Sequence, residues 1–225
     1  MSLRTLLMAL ACTALLSASA LADDDGDDDG FARPGWYLGI GGAAGVNFFE
    51  DEIEDAAEKV GVNVDVKDTG GINARGGYRV NSWFAVEGMY EWMDNFEVEV
   101  KSIDTGGEPL PVGTTLFDYT THTITANLKF VVPTWRFQPY LLLGVGAQHF
   151  DLDAPATVEA SALDLSDSGW GFAGRPGLGL DIYITRNLLL NAEVAGVLAT
   201  GNFSTIPSIG DFFYLSAGGG LQWRF

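Results

Sequence analysis

Cysteine is all but missing from this chain. Its single copy, Cys12, lies in an apolar leader, so no disulfide staples the rest. A lipoprotein box would carry Leu three positions earlier, where Ala9 stands, and lipidation is not expected. Positive charge is scarce too: 12 Lys and Arg face 30 Asp and Glu, for a net charge of −18. That balance excludes nucleic-acid binding through phosphate contacts, which needs a basic surface. Past the leader there is no uncharged apolar run of the ~18 residues that a membrane helix requires. Histidine occurs only twice, as His122 and His149, which leaves few candidates for a general base or a metal ligand.

What is present begins with an export signal at Met1 to Ala22. Arg4 supplies the positive start, Thr5 to Leu16 the apolar stretch, and Ala20-Leu21-Ala22 the small-residue cleavage site. Removing it makes the remaining chain one unit more negative than the −18 of the whole. The DDDGDDDG run, Asp23 to Gly30, is a like-charge block. It opens a lead over residues 23–34 that is expected to be solvated and disordered, and it lacks the ligand spacing of an EF-hand. Residues 35–225 then read as one domain.

Period-two alternation dominates that domain. In the first segment, from about Gly35 to Phe48, Trp36, Leu38, Ile40, Ala44 and Val46 fall on one face. Tyr37, Gly39, Gly41, Ala43, Gly45 and Asn47 fall on the other. Seven further segments alternate likewise, centred near Ile72–Val80, Phe84–Trp92, Thr123–Val132, Tyr140–Gln148, Phe172–Ile182, Leu188–Val194 and Phe213–Phe225. Pro176 weakens the sixth, because proline removes a ladder donor. Short turns fall near Asn81-Ser82, Pro133 to Arg136 and Thr185 to Asn187. Long links span roughly Glu50 to Thr69, Asp94 to Leu116, Asp151 to Ser168 and Leu198 to Gly210. A membrane protein without spanning helices must be a closed barrel, since lipid leaves no backbone group unpaired. The expected fold is all-β: an eight-stranded antiparallel transmembrane β-barrel with short periplasmic turns and long outer loops.

Alternation alone does not say which face points in, because a soluble barrel shows the same period. Charge decides. Arg75, Arg79, Lys129, Arg175 and Arg224, with Glu87, Glu91, Asp181 and Glu193, all share the glycine-rich second face. Arg or Lys on a lipid-facing strand position costs about 2–4 kcal/mol at the midplane, so the clean apolar face suits lipid. Aromatics gather at the strand ends, as interfacial girdles do. The nine interior charges are expected to pair, because a lone ion in a narrow apolar space is costly. A register that sets Arg75 opposite Glu87 also sets Val62 opposite Val100, Val64 opposite Val98 and Val66 opposite Phe96. This hairpin would then stand above the membrane as a ribbon; a loose acidic loop is the alternative reading.

Three stretches carry a family resemblance. QPYLLLGVGAQHF (Gln138 to Phe150), GLGLDIYITRNLLLNAEV (Gly177 to Val194) and the terminal GLQWRF resemble the small outer-membrane β-barrels of the OmpA/OmpX type. The likeness spans about Gly35 to Phe225. It implies the outer membrane of a Gram-negative bacterium, with outer-membrane lipid and lipopolysaccharide as surroundings. It also implies that the barrel-assembly machinery reads Gly220, Trp223 and Phe225. Gly218 stands where the family usually has a polar residue.

The family is diverse in activity, so function rests on the residues. An eight-stranded lumen has room for side chains only, which favours an ion-paired plug over a narrow pore for ions or small solutes. A lipid A-modifying enzyme is a third reading: His122 and His149 lie near Asp118, Asp151 and Asp153, but no serine pattern accompanies them. The link from Glu50 to Thr69 holds eight acids, suited at most to weak Mg²⁺ or Ca²⁺ binding. A monomeric structural or surface-interaction barrel is expected, contacting any surface ligand through its outer loops and using no cofactor and no metal.

Overall fold

The computed structural model describes residues 30–47, 62–66, 69–103, 115–153, 167–200 and 211–225. The expected export signal, most of the acidic lead and the tips of the four long links lie outside the described residues. Nine strands follow in chain order: β1 (Gly35–Asn47), β2 (Val62–Val66), β3 (Thr69–Arg79), β4 (Phe84–Ile103), β5 (Thr115–Val131), β6 (Phe137–Asp153), β7 (Asp167–Tyr183), β8 (Leu188–Thr200) and β9 (Asp211–Arg224). Both β2 and β3 pair antiparallel with β4, so the two make one stave. Each stave neighbours the next in sequence, β9 returns to β1, and a β4–β5 ladder completes the ring. The result is a closed, eight-stave antiparallel barrel that leaves no sheet edge within the membrane.

The faces follow the alternation. Trp36, Leu38, Ile40 and their counterparts point outward, with Ile40 73% exposed. The charged face points in, and none of its nine ionised residues is more than 6% exposed. This arrangement inverts that of a soluble barrel and matches a lipid surround. Pro176 sits inside β7 without ending it. Its side toward β6 stays paired, while the ladder to β8 skips from Gly174↔Leu198 to Gly177↔Ala195. The missing donor is accommodated in that gap.

The β3–β4 register departs from expectation. Arg75 lies opposite Met89, and Glu87 lies opposite Gly77, a shift of two residues. The turn explains it. The Asn81 side chain accepts a hydrogen bond from the Trp83 amide (3.0 Å), and the Val80 amide donates to the Phe84 carbonyl (2.9 Å). This Asx-type closure takes Trp83 into the turn and sets the ladder accordingly. The ribbon shifts in step: Val64 pairs with Val100 and Val66 with Val98, and a bulge then brings Val62 to Ile103.

The outer strand ends also run further than the hydrophobic pattern suggested. Residues 94–103, 115–116, 151–153, 167–168 and 198–200 are strand, not link, and residues 62–66 are strand as the ribbon reading expected. A ladder needs backbone partners rather than apolar side chains, so pairing continues past the lipid. At 20 residues β4 is about twice the 9–11 that a tilted strand needs to cross, and β5 accompanies it outward through Glu99↔Thr115.

At the other end, residues that the sequence assigns to a disordered lead are packed. Phe31 is buried with Tyr183 and Leu189 beneath the barrel. Its ring lies edge-on to Trp135 at 6.3 Å.

Candidate functional site

The interior is a stack of polar side chains held by opposite walls. Counting round the ring, β8 lies diametrically across from β4. Arg175 of β7 donates from both terminal nitrogens to Glu91 of β4, each at 3.0 Å, and reaches Glu193 of β8 at 3.2 Å. Arg75 of β3 meets Glu193 at 2.9 Å. These contacts chain four residues from two facing pairs of neighbouring strands, β3–β4 and β7–β8, into one network. Hydroxyls fill what the charges leave open. Tyr140 donates to Glu193 (2.8 Å), and Ser216 and Tyr214 donate to Glu91 (2.8 and 3.2 Å). Charge-assisted, two-pronged contacts of this kind are among the strongest hydrogen bonds available to a protein.

A second group sits closer to the short turns. Lys129 of β5 meets Asp181 of β7 at 2.7 Å, with its ammonium 3.7 Å from the centre of the Tyr140 ring. Asn191 donates to the other Asp181 oxygen at 2.9 Å. Glu87, expected opposite Arg75, approaches it only to 3.9 Å and instead accepts from Tyr37 (3.0 Å) and Asn127 (3.4 Å). Space for the Tyr37 ring comes from Gly77, where a Cβ would lie 2.5 Å from the ring's Cζ and hydroxyl.

Two of the nine expected charges do not join an ion pair among the described residues. Arg79 donates to the Gln138 side chain (2.6 Å), the Asn81 carbonyl (3.1 Å) and the Ser82 carbonyl. Arg224 donates to the Phe31 carbonyl (2.6 Å) and the Tyr183 hydroxyl (2.9 Å).

The three terminal residues singled out in the sequence occupy different settings. Trp223 and Phe225 are exposed on the outer wall. Gly220 faces inward at the β9–β1 seam, opposite Gly41. A Cβ there would run into the Ile40 carbonyl oxygen and lie 2.8 Å from the Gly41 Cα.

Comparison with known proteins settles the family. The profile of the outer membrane protein beta-barrel domain matches residues 8–225. The chain belongs to this family. It resides in the outer membrane of a Gram-negative bacterium, as the family and its solved relatives do. Neisserial surface protein A has the same fold, with 12% identity and a TM-score of 0.55 over 86% of this chain and 99% of that one. OprG from Pseudomonas aeruginosa is 18% identical, over 84% of this chain and 95% of that one, with a TM-score of 0.48. Ail, the attachment invasion locus protein of Yersinia pestis, is 16% identical over 85% and 97%, with a TM-score of 0.46. No curated protein sequence matches.

In this family member the two histidines are direct cross-strand partners on the outer wall. The Tyr90 hydroxyl lies 2.8 Å from His122 Nδ1, and His149 Nδ1 lies 2.9 Å from the Gly169 carbonyl. His149 stacks on Trp170 at 4.8 Å, and its Nε2 is 3.2 Å from Asp151. Asp118 and Asp153 pair with each other further out. Of the acidic link, residues 50–61, 67 and 68 lie outside the described residues.

Parity placed the nine charges but did not single out the neutral residues that complete the network. Tyr37, Tyr140, Tyr214, Ser216 and Asn191 all sit on the same inward face. Extending the period by one step would have added Gln138 and Tyr183. Nothing in the alternation points to Phe31.

Proposed function

We propose that this barrel is a structural and surface-interaction protein of the outer membrane whose interior is a closed plug of ion pairs. The observation that carries the reading is the Arg175 guanidinium, 2% exposed, bridging Glu91 and Glu193 from facing walls. An ion crossing the lumen would have to part that bridge in a low-dielectric space. Its immediate surroundings are outer-membrane lipid and lipopolysaccharide, and it acts as a monomer. The barrel-assembly machinery reads the Gly220, Trp223 and Phe225 end during insertion. Catalysis has no part in this reading. Among the described residues neither histidine hydrogen-bonds a serine or threonine hydroxyl, and both rings lie in an aromatic row suited to the lipid interface.

The surface role falls to the strand ends beyond the membrane. Among the described residues β2 pairs on one side only, with β4. An open edge of this kind accepts an incoming strand. Deleting Val62 to Lys67 is expected to weaken attachment of cells to a surface partner while insertion stays normal; unchanged attachment counts against the role. Proteoliposomes carrying the protein are expected to swell in sugar solutions no faster than empty vesicles. Rapid swelling would identify a pore.

A further inference from the structure

Below the ion-pair network, toward the short turns, the described residues enclose a small cavity. About 20 Å³ is open to the centre of a water-sized particle, enough to hold a particle of that size. Arg79, Lys129, Asp181, Tyr183, Gln222 and Arg224 all line it, and none is more than 4% exposed.

The charge around this space does not balance. Lys129 and Asp181 neutralise one another at 2.7 Å. Arg79 and Arg224 have no carboxylate partner among the described residues; both instead converge on the Tyr183 hydroxyl, at 3.4 and 2.9 Å. Among the described residues, two guanidinium charges are therefore buried together without a counter-charge, an arrangement that is strongly unfavourable unless something compensates it. Several donors also lack acceptors. Arg224 Nε and Nη2 and Gln222 Nε2 are fully buried with no hydrogen-bond partner. All three carry protons to give. A water molecule accepts only about two hydrogen bonds and brings no charge, and a cation is repelled.

We propose that this cavity binds one monatomic anion of halide size, with chloride the natural occupant. The ion supplies the counter-charge that Arg79 and Arg224 lack and accepts from the orphaned Arg224 and Gln222 donors. So small a space favours a single-atom anion over carboxylates, phosphate and sulfate. Because Arg224 ends β9 and also holds the Phe31 carbonyl at 2.6 Å, the ion would fasten the closing strand and the N-terminal segment together.

The test is salt-specific stability of the full mature barrel refolded in detergent. Sodium bromide and sodium gluconate are compared at equal ionic strength, reading the temperature at which the compact folded band is lost on a gel. Bromide is expected to raise that temperature saturably. Arg224→Gln is expected to abolish the halide dependence, and Arg186→Gln, at an exposed turn, to preserve it. Equal temperatures in the two salts overturn the proposal. Should Arg224→Gln fail to fold, Gln222→Leu and a crystal grown in bromide decide the matter. An anomalous peak among Arg79, Gln222 and Arg224 supports the site, and a peak-free cavity overturns it.

Discussion

Arg175 on β7 grips both carboxylate oxygens of Glu91 on β4, three staves away round the barrel, at 3.0 Å each. No local contact holds these residues together; the closed ring does. Breaking such a buried pair from one side leaves the other charge uncompensated, at a cost of about 3–5 kcal/mol. Arg175→Ala is therefore expected to lower the urea-unfolding free energy by about that amount. The combined Arg175→Met, Glu91→Leu change should lose much less, because no ion is left stranded. A single substitution milder than the double one would contradict the network.

The register can be read chemically. With Val64 opposite Val100, the pair Val64→Cys and Val100→Cys is expected to oxidise to a disulfide well before the pair Val64→Cys and Val98→Cys. Non-reducing gels after mild oxidation report the order. The reverse order would restore the register in which Arg75 faces Glu87.

These two cases show how much the chain declares in advance. The strand faces, the even stave number and the inward side were legible, because each depends on alternation along one strand. Which charge meets which was not. Arg75 finds Glu193 through the shape of the closed barrel, and no pattern along β3 or β8 carries that information. The register slipped because Asn81 captures the Trp83 amide, a side-chain bond in a turn that hydrophobic alternation does not sense. Phe31 escaped because it follows an acidic run and shares no period with any strand.

The β9–β1 seam makes its own prediction. At Gly220 a Cβ would collide with the Ile40 carbonyl, whereas at Gly42, on the outer face, its nearest neighbour would be the Gly71 carbonyl at an ordinary 3.8 Å. Gly220→Ala should destabilise the barrel by about 3 kcal/mol, the upper end for overpacking, and Gly42→Ala by less than about 0.5 kcal/mol. Refolding yield and urea midpoint in detergent measure both. Equal tolerance would mean that the seam is looser than described.

Orientation in the membrane is tested at Ile40, the outward residue at 73% exposure. Ile40→Arg is expected to cost about 2–4 kcal/mol in a lipid bilayer. The same change should be close to neutral if that face met water. Folding into lipid vesicles of defined composition separates the two.

The most direct test of the closed interior is single-channel recording in a planar bilayer. The protein is expected to give no steady conductance, and the Arg175→Ala, Glu91→Ala double variant to open the lumen and pass current. Stable openings from the unaltered protein would contradict the plug.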